Sequence, residues 1–531
     1  WSTRIQSDRI AYSQFVVDYL AQQKNVSVLE GIAAEILTEN GRACGVRTES
    51  GELVTAHAVI LATGTFLGGL IHIGEKTIKS GRMGEPGAYR LSESLVSLGF
   101  ELGQLKTGTP PRLDGNTIDF AKCELQPGHE PPPHFSYRST EREMNQVPCH
   151  LTKTSAETKR IVSDNFQQSP IFSGKISSVG PRYCPSIEDK FYRFAKRESH
   201  QIFLEPEGNG TSEIYPNGFA TALPEDVQYQ AIRTVVGLQE VRLTQPGYAI
   251  EYDYVPAHQI KPSMETRRLP GLFLAGQING TSGYEEAAGQ GLMAGVNAVL
   301  AIEGEQPFVL DRSEAYVGVM IDDLVTRSTT EPYRLFTSRA EYRLALREDN
   351  ARDRLNQYAR KYNLIPAEES DAFEDIRSDT DRVIAALRKK RVKVSDLGEL
   401  SQRYQRAEMV TLDNMIRQPN ISINEAVQLV SKFDPTIADN MEVLERAAIA
   451  IRYRGYIEKQ QREIDKFKRQ EAELIPADFD FSSITGLKRE ALDKFVHFQP
   501  GSLGQAGRIE GVTPGDIAVL SVFLKRHNES R

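Results

Sequence analysis

The chain has 531 residues, enough for about three domains of roughly 100–200 residues each and too many for a single small binding module. Its 64 Lys and Arg against 72 Asp and Glu give a net charge of −8, with 40% hydrophobic and 26% charged residues. That composition describes a globular chain able to bury cores and excludes a disordered, fibrous or polycationic one, so any nucleic-acid contact has to come from local basic patches.

Cysteine usage narrows the reading. Cys44, Cys123, Cys149 and Cys184 are widely spaced with no CxxC pair, which argues against a disulfide framework or structural zinc and for a reducing cytoplasm. The apolar runs, such as 58–62, are strand-sized and far short of the ~18 residues of a membrane-spanning helix. The sequence opens at Trp1 with no charged stretch followed by an apolar one. Nothing there reads as a signal peptide, and the expectation is a chain that starts part-way into a fold.

Tyr12, Phe15, Val16, Tyr19 and Leu20 fall at helical spacing and predict an amphipathic helix over 8–23. The β-rich segment 26–29 follows, then segments 32–37 and 43–48 around the turn Glu39-Asn40-Gly41, then a strand over 53–62 that ends in Thr63-Gly64. Residues 65–270 look irregular and rich in Gly and Pro, with four prolines in 126–134, as in an inserted substrate-side domain. An apolar strand returns at 271–275 and runs through Gly276-Gln-Ile-Asn-Gly280 into a helix over 284–301. Beyond 310, helical periodicity dominates, as at 372–387, 441–470 and 513–525.

A buried strand, a Gly-rich turn and a helix, as at 271–286, let backbone N–H groups and a positive helix end approach an anion; a simple packing turn is the equal alternative. Gly289-Gln-Gly291-Leu-Met-Ala294 lies inside the predicted helix and reads as close helix packing. The turn Ala62-Thr63-Gly64-Thr65 would admit a cofactor's ribose or pyrophosphate, but no GxGxxG joins a first strand to a first helix anywhere in the chain. Cys184 stands between Arg182 and Lys190, cations that favour a thiolate; a buried structural cysteine is the alternative. The nine histidines show no metal-ligand spacing, so no metal site is expected. Glu285-Glu286 and Glu188-Asp189 read first as helix-dipole partners. Arg327, Arg334, Arg339, Arg343 and Arg347, interleaved with Tyr333, Phe336 and Tyr342, suit phosphate contact and base stacking. Two more basic patches lie at 388–393 and across Arg452, Arg454, Lys459, Arg462, Lys466, Lys468 and Arg469. Each alone is a solvated helix face; together they favour a polyanionic partner.

Runs along nearly the whole chain resemble the MnmG (GidA) family of tRNA uridine 5-carboxymethylaminomethyl modification enzymes. They include Ala62-Thr-Gly-Thr-Phe-Leu-Gly-Gly69, Leu105-Lys-Thr-Gly-Thr-Pro-Pro-Arg112, Gly180-Pro-Arg-Tyr-Cys-Pro-Ser-Ile-Glu-Asp-Lys190, Ala275-Gly-Gln-Ile-Asn-Gly280, Phe336-Thr-Ser-Arg-Ala-Glu-Tyr-Arg343 and Gly504-Gln-Ala. The resemblance implies an α/β fold: an FAD-binding, two-dinucleotide-binding domain of the Rossmann-like, glutathione-reductase type, with an inserted α+β domain and an all-α C-terminal domain. The expected segments are 1–105 and 261–305 for the FAD domain, 106–260 for the insert and 306–531 for the helical region.

It further implies an enzyme that uses FAD and NADH, with methylenetetrahydrofolate on an MnmE-type GTPase partner, to modify carbon-5 of the tRNA wobble uridine. Such an enzyme would be a cytoplasmic homodimer with no membrane association. By the same resemblance Cys184 is the catalytic thiol. Ile32, Thr63, Gly64, Thr65, Gly276, Gln277 and Asn279 contact FAD, and Gly180, Arg182 and Lys190 take the nicotinamide dinucleotide. Arg334, Arg339, Arg343 and Arg347 contact tRNA, and the tail around 504–514 binds the partner. The family's N-terminal Gly-rich phosphate loop and early cysteine have no counterpart here, so weak or absent FAD binding is expected. A folate- and FAD-dependent tRNA uridine-5 methyltransferase and a non-catalytic tRNA-binding scaffold are the alternatives; the Gly504-Gln-Ala tail favours the aminomethylating enzyme.

Overall fold

The computed structural model describes residues 4–529, apart from 131, 134, 140–145, 183–184, 328–330, 405–407, 419, 434–439 and 477. They divide into two units, Trp1–Glu305 with Ser328–Arg334, and Gln306–Arg327 with Leu335–Arg531.

In the first unit the hairpin expected at Asn40-Gly41 forms. Ala33–Glu39 and Arg42–Thr48 pair antiparallel, and Asn40 and Gly41 take φ of 49° and 74°, the left-handed pair that matches the twist of the flanking strands. The strand expected over 53–62 splits in two. Leu53–Thr55 joins this meander, while Val59–Leu61 runs parallel to Leu272–Leu274. One expectation fails and another holds only in part. Segment 26–29 forms no strand, and Val28 is 81% exposed. Helix Arg9–Ala21 does form, with Asp8 accepting from Ala11 N at 2.9 Å, but none of its residues is buried. Side-chain preference supplies a tendency; a strand also needs a hydrogen-bonding neighbour, and an apolar helix face needs something to cover it.

The stretch that looked irregular holds two antiparallel sheets among the described residues. One has six strands in the order Leu243–Gln245, Arg112–Asp114, Glu213–Asn217, Gln201–Pro206, Cys149–Lys153 and Glu124–Gln126. The other has four, in the order Lys76–Lys79, Leu70–Ile73, Tyr248–Tyr254 and Gly103–Thr109. Strands this short give weak periodicity, and Pro216 lies inside one of them, which masks them in sequence. Leu113, Ile202, Leu204 and Ile214 of the larger sheet pack with Val162, Ile187, Phe191 and Ile232. Each such fully buried side chain contributes about 1.5–3 kcal/mol.

In the second unit, helices Ala367–Lys389, Ile423–Phe433 and Met441–Glu471 contribute to a core that includes Leu387, Val427, Val430, Leu444 and Ile451. Helices Arg489–Phe498, Leu503–Arg508 and Pro514–Glu529 contribute to another with Phe481, Phe495, Ala506 and Leu520. The region is not strictly all-α, because Arg391–Lys393 and Met409–Thr411 pair as an antiparallel ribbon. Arg312, 1% exposed, donates to Asp323 at 2.7 Å, Asp322 at 3.1 Å and Glu341 at 2.8 Å. Arg508 grips both oxygens of Asp322 at 2.7 Å and also binds Glu471. No helix among the described residues is long and apolar enough to cross a membrane.

Candidate functional site

The carboxyl ends of Val59–Leu61 and Leu272–Leu274 lie side by side, and Ala275 N donates to Leu61 O at 2.9 Å. Both strands stop in glycine turns. Gly64 has φ of 56° and Gly276 of 82°, a region that side-chain-bearing residues avoid. In open α/β sheets this end of a parallel pair is where a ligand crevice opens. A Cβ built on Gly64 would stand 4.0 Å from Gln277 Oε1, so Gln277 faces the Thr63-Gly64 turn. The fully buried Tyr252 is turned toward Gln277, and burial pushes its hydroxyl up to about 12, so it stays protonated as a hydrogen-bond donor.

Buried Gln290, on helix Tyr284–Glu303, fixes the second turn. Its Oε1 accepts from Gly276 N at 3.0 Å and from Asn279 Nδ2 at 2.9 Å, and its Nε2 donates to Thr281 Oγ1 at 3.0 Å. In the run 289–294 read as helix packing, Gln290, Met293 and Ala294 are buried, while a Cβ on Gly291 would meet nothing within 4 Å, so no close approach requires that glycine. Among the described residues four buried atoms, Thr63 Oγ1, the Tyr252 hydroxyl, Asn279 Oδ1 and Ser282 Oγ, have no hydrogen-bond partner. Leaving such a group unsatisfied costs about 1–3 kcal/mol. The carbonyl of Ile32 and the hydroxyl of Thr65 are engaged by the fold, accepting from Glu49 N at 2.8 Å and donating to Gly81 O at 2.6 Å.

Cys184 and its neighbour Tyr183 lie outside the described residues. Around them, Lys190 Nζ donates to Gly218 O at 2.6 Å, and the largely exposed Arg182 stands 4.0 Å from Glu331. Gly180 is packed against Lys106 of the 103–109 strand, whose Cε would be 2.8 Å from a Cβ there. Ser186 caps helix Ile187–Arg193 by accepting from Asp189 N. Glu188, fully buried, accepts from Thr221 Oγ1 at 3.1 Å and Ala222 N at 3.0 Å, and burial raises its carboxyl above the ordinary value. Burial also raises the thiols of Cys123 and Cys149, which keeps both protonated and unreactive. No cluster able to hold a metal ion occurs among the described residues.

The four arginines singled out for RNA contact all make bonds within the protein. Arg334, in the first unit, donates to Glu286 at 3.0 Å and Glu285 at 2.9 Å. In the second unit Arg339 lies 3.6 Å from Asp323, and Arg343 donates to Ala340 O at 3.4 Å. Arg347 chelates Asp349 at 2.8 and 2.9 Å and stacks 5.6 Å from the Tyr453 ring. The third basic patch, on helix Met441–Glu471, divides. Arg452 donates to the carbonyl of Ile416 at 3.2 Å, Arg454 to Asp413 at 3.3 Å and Lys468 to Glu314 at 3.2 Å. Lys459, Arg462, Lys466 and Arg469 remain exposed, and their spacing puts them in one stripe along the helix.

Residues 1–306 match the model of the family described as glucose inhibited division protein A. The chain belongs to the MnmG/GidA family. Two further family models, the MnmG/GidA C-terminal helical domain and C-terminal helical bundle, match 367–461 and 463–531. A protein of Thermodesulfovibrio yellowstonii called tRNA uridine 5-carboxymethylaminomethyl modification enzyme MnmG is 46% identical over 99% of this chain and 84% of its own length. One of the same name from Lactobacillus acidophilus is 45% identical over 99% and 84%. The crystal structure of Aquifex aeolicus GidA superposes with a TM-score of 0.88 at 40% identity, covering 98% of this chain and 83% of that one.

In this member of the MnmG/GidA family the structure sets the Thr63-Gly64 turn and the turn carrying Gly276, Gln277 and Asn279 side by side at the ends of the parallel pair, and it puts Lys190 in the first turn of helix Ile187–Arg193 and Gly180 against Lys106. Sequence reasoning missed Gln290, Tyr252 and Lys106. Gln290 sat inside a run read as helix packing, and the other two lie on strands of a region read as irregular.

Proposed function

We propose that this chain is a flavin- and NADH-dependent tRNA-modifying enzyme. With a folate-binding GTPase of the MnmE type it would build an aminomethyl or carboxymethylaminomethyl group on carbon-5 of the wobble uridine. The observation that carries the reading is the crevice at the ends of the parallel pair. Its unsatisfied Thr63 Oγ1, Asn279 Oδ1 and Ser282 Oγ, beside the protonated Tyr252 hydroxyl and the Gln277 amide, suit the polar edges of an isoalloxazine. Thr63, Gly64, Gly276, Gln277 and Asn279 would hold that ring, with Ile32 and Thr65 lending backbone. The fit covers the ring side; the 531 residues contain no GxGxxG turn between a strand and a helix for the pyrophosphate. FAD, when bound, supplies hydride chemistry.

Carbon-5 of uracil is a poor nucleophile until a group adds at carbon-6. In the proposed sequence the Cys184 thiolate forms an S–C6 bond and the C5=C6 electron pair moves onto carbon-5. That carbon bonds to the methylene of methylenetetrahydrofolate held by the partner as one folate C–N bond breaks and its nitrogen takes up a proton. Loss of the C5 proton and departure of the thiolate restore the ring, and ammonium or glycine then displaces tetrahydrofolate, its C–N bond forming as the second folate C–N bond breaks. Gly180, Arg182 and Lys190 would receive NADH. The open stripe of Lys459, Arg462, Lys466 and Arg469 supports a tRNA-bearing surface, with Arg334, Arg339, Arg343 and Arg347 as further contacts. The helical matches over 367–531 favour this reading over a uridine methyltransferase. A cytoplasmic homodimer belongs to the same proposal.

Nucleoside analysis of wobble uridines, in cells lacking the gene and regaining it, tests the reading. Loss of the carbon-5 substituent and its return on complementation are expected; unchanged wobble uridines in the deletion strain would overturn it. Complementation with Cys184→Ser should fail, and normal modification by that variant would remove the thiol from the chemistry.

A further inference from the structure

The basic run at 388–393 has no part in the function proposed above. Arg388 and Lys389 close the last turn of helix Ala367–Lys389, and the chain goes straight on into the antiparallel ribbon. Val392 and its cross-strand partner Val410 point inward, to a core shared with Leu387 and Leu412. Alternation along a strand then turns Arg391 and Lys393 outward on one face, roughly 7 Å apart. Both are exposed, and the residues opposite them are Thr411 and Met409.

A solvated helix end accounts for only part of this charge. Arg388 and Lys389 offset the negative end of the helix dipole, whereas Arg391 and Lys393 stand beyond the helix. Their side chains have no hydrogen bond or ion pair to a described residue. Nor does the ribbon bring a carboxylate to the face they share. Glu408 comes opposite Val394, one step off that face by alternation. Asp413, just past the second strand, is 6% exposed and already accepts from Thr411 Oγ1 at 2.9 Å, Arg417 at 2.7 Å and Arg454 at 3.3 Å. Two outward cations on a backbone fixed by a buried valine pair, at about the separation of neighbouring phosphates on one nucleic-acid strand, complement a phosphate backbone.

The ribbon is also fastened beside the other open basic surface of this unit. Helix Leu412–Ile416 follows strand Met409–Thr411 directly. Arg452 of helix Met441–Glu471 donates to its last carbonyl, Ile416 O, at 3.2 Å. Lys459, where the exposed stripe starts, is seven residues on, nearly two full turns, and so lies about 10 Å further along the same side of that helix. The stripe then runs about 15 Å to Arg469.

We propose that Arg391 and Lys393 are a second phosphate-contact point of the helical unit, gripping the sugar–phosphate backbone of the same tRNA that the stripe follows. The inference rests on the reading above that the stripe bears tRNA, and it adds a contact carried by a β-ribbon.

The test measures tRNA binding over a series of salt concentrations for the 531-residue chain and its Arg391→Gln/Lys393→Gln variant, with thermal melts of both. The slope of log affinity against log salt should fall by about 1.4–1.8, twice the value for one phosphate contact. Tm should stay within about a degree or two, as for surface substitutions. The charge-keeping Arg391→Lys/Lys393→Arg variant should keep the wild-type slope. Adding Lys459→Gln should lower the slope further, because ribbon and stripe hold one RNA at once. An unchanged slope in the double Gln variant, beside a lowered one for Lys459→Gln alone, overturns the inference and spares the reading of the stripe. No tRNA binding by wild type overturns both. A lowered Tm with the slope unchanged makes the pair structural and overturns it. Weaker binding of the GTPase partner with tRNA binding intact overturns it in favour of a protein-docking face, and no further fall on adding Lys459→Gln overturns the claim of one shared RNA.

Discussion

The crevice at the ends of the parallel pair and the charge cluster around Arg312 are both polar and buried, yet they differ in how their groups are satisfied. Around Arg312 every strong donor meets an acceptor: Asp322, Asp323 and Glu341 surround the guanidinium, and Arg508 takes the rest of Asp322. At the ends of the parallel pair Gln290 is bonded through both ends of its amide, but Thr63 Oγ1, the Tyr252 hydroxyl, Asn279 Oδ1 and Ser282 Oγ have no partner among the described residues. A closed network holds a fold, and a partly open one of the same burial marks where something else binds.

The contrast breaks first, and hardest, at Arg312. Arg312→Met leaves Asp323, itself 1% exposed, without its closest cation, and removing one member of a buried pair costs about 3–5 kcal/mol. Urea denaturation should show that loss in the second unit with flavin binding preserved. A change below about 1 kcal/mol would mean the cluster is as open as the crevice.

Within the crevice the two kinds of polar group should separate. Gln290→Leu leaves Gly276 N without its acceptor and removes one from Asn279 Nδ2, a loss of about 1–3 kcal/mol for an unsatisfied buried donor. Ser282→Ala removes a hydroxyl with no partner among the described residues, so Tm should hold or rise while FAD affinity falls. If Ser282→Ala melts lower and binds FAD as well as wild type, that hydroxyl belongs to the fold and not to the ligand.

How much of this could be read from sequence follows the same division. The hairpin at Asn40-Gly41, the strand Leu272–Leu274 and helix Tyr284–Glu303 are local, written in turn chemistry and periodicity, and they form where expected. Segment 26–29 carries the β-branched residues of a strand and fails because pairing is not local. Thr63, Gly64, Gln277 and Asn279 could be named from their motifs. Gln290 could not, because its role comes from how the Gly276–Thr281 turn folds back onto the helix to meet both ends of its amide. Arg339 and Arg347 show the converse: in sequence they look like open phosphate contacts, and in the structure Asp323 and Asp349 face them.

A smaller and pH-dependent difference is expected at Glu188. Its carboxyl is raised by burial, so its folded value exceeds its unfolded one. Stability from this group is therefore complete in acid, below the unfolded value, and is lost as pH rises through the folded value. Glu188→Gln stays neutral throughout, and the stability difference between the variant and wild type should grow from about pH 4 upward and then level off. A difference that is flat across thermal melts at those pH values would mean that Glu188 is ionised and paired, and would move it to the closed class.

The smallest effect on the fold, and the sharpest on RNA, should come from the stripe on helix Met441–Glu471. Lys459, Arg462, Lys466 and Arg469 are exposed, whereas Arg452, Arg454 and Lys468 on the same helix have partners. Changing one of the four exposed residues to Gln removes no bond to the described residues, so Tm should stay within about a degree or two, as for an ordinary surface substitution. If the stripe follows the phosphate backbone, each change should weaken tRNA binding alike across sequences. Each should also lower the slope of log affinity against log salt by roughly 0.7–0.9, the counterion released by one phosphate contact. The same change at Arg454 should behave in reverse, lowering Tm through the loss of Asp413 and leaving the salt slope alone. Equal slopes for the exposed and the paired residues would show that the stripe is a solvated face, and that tRNA is held elsewhere on the molecule.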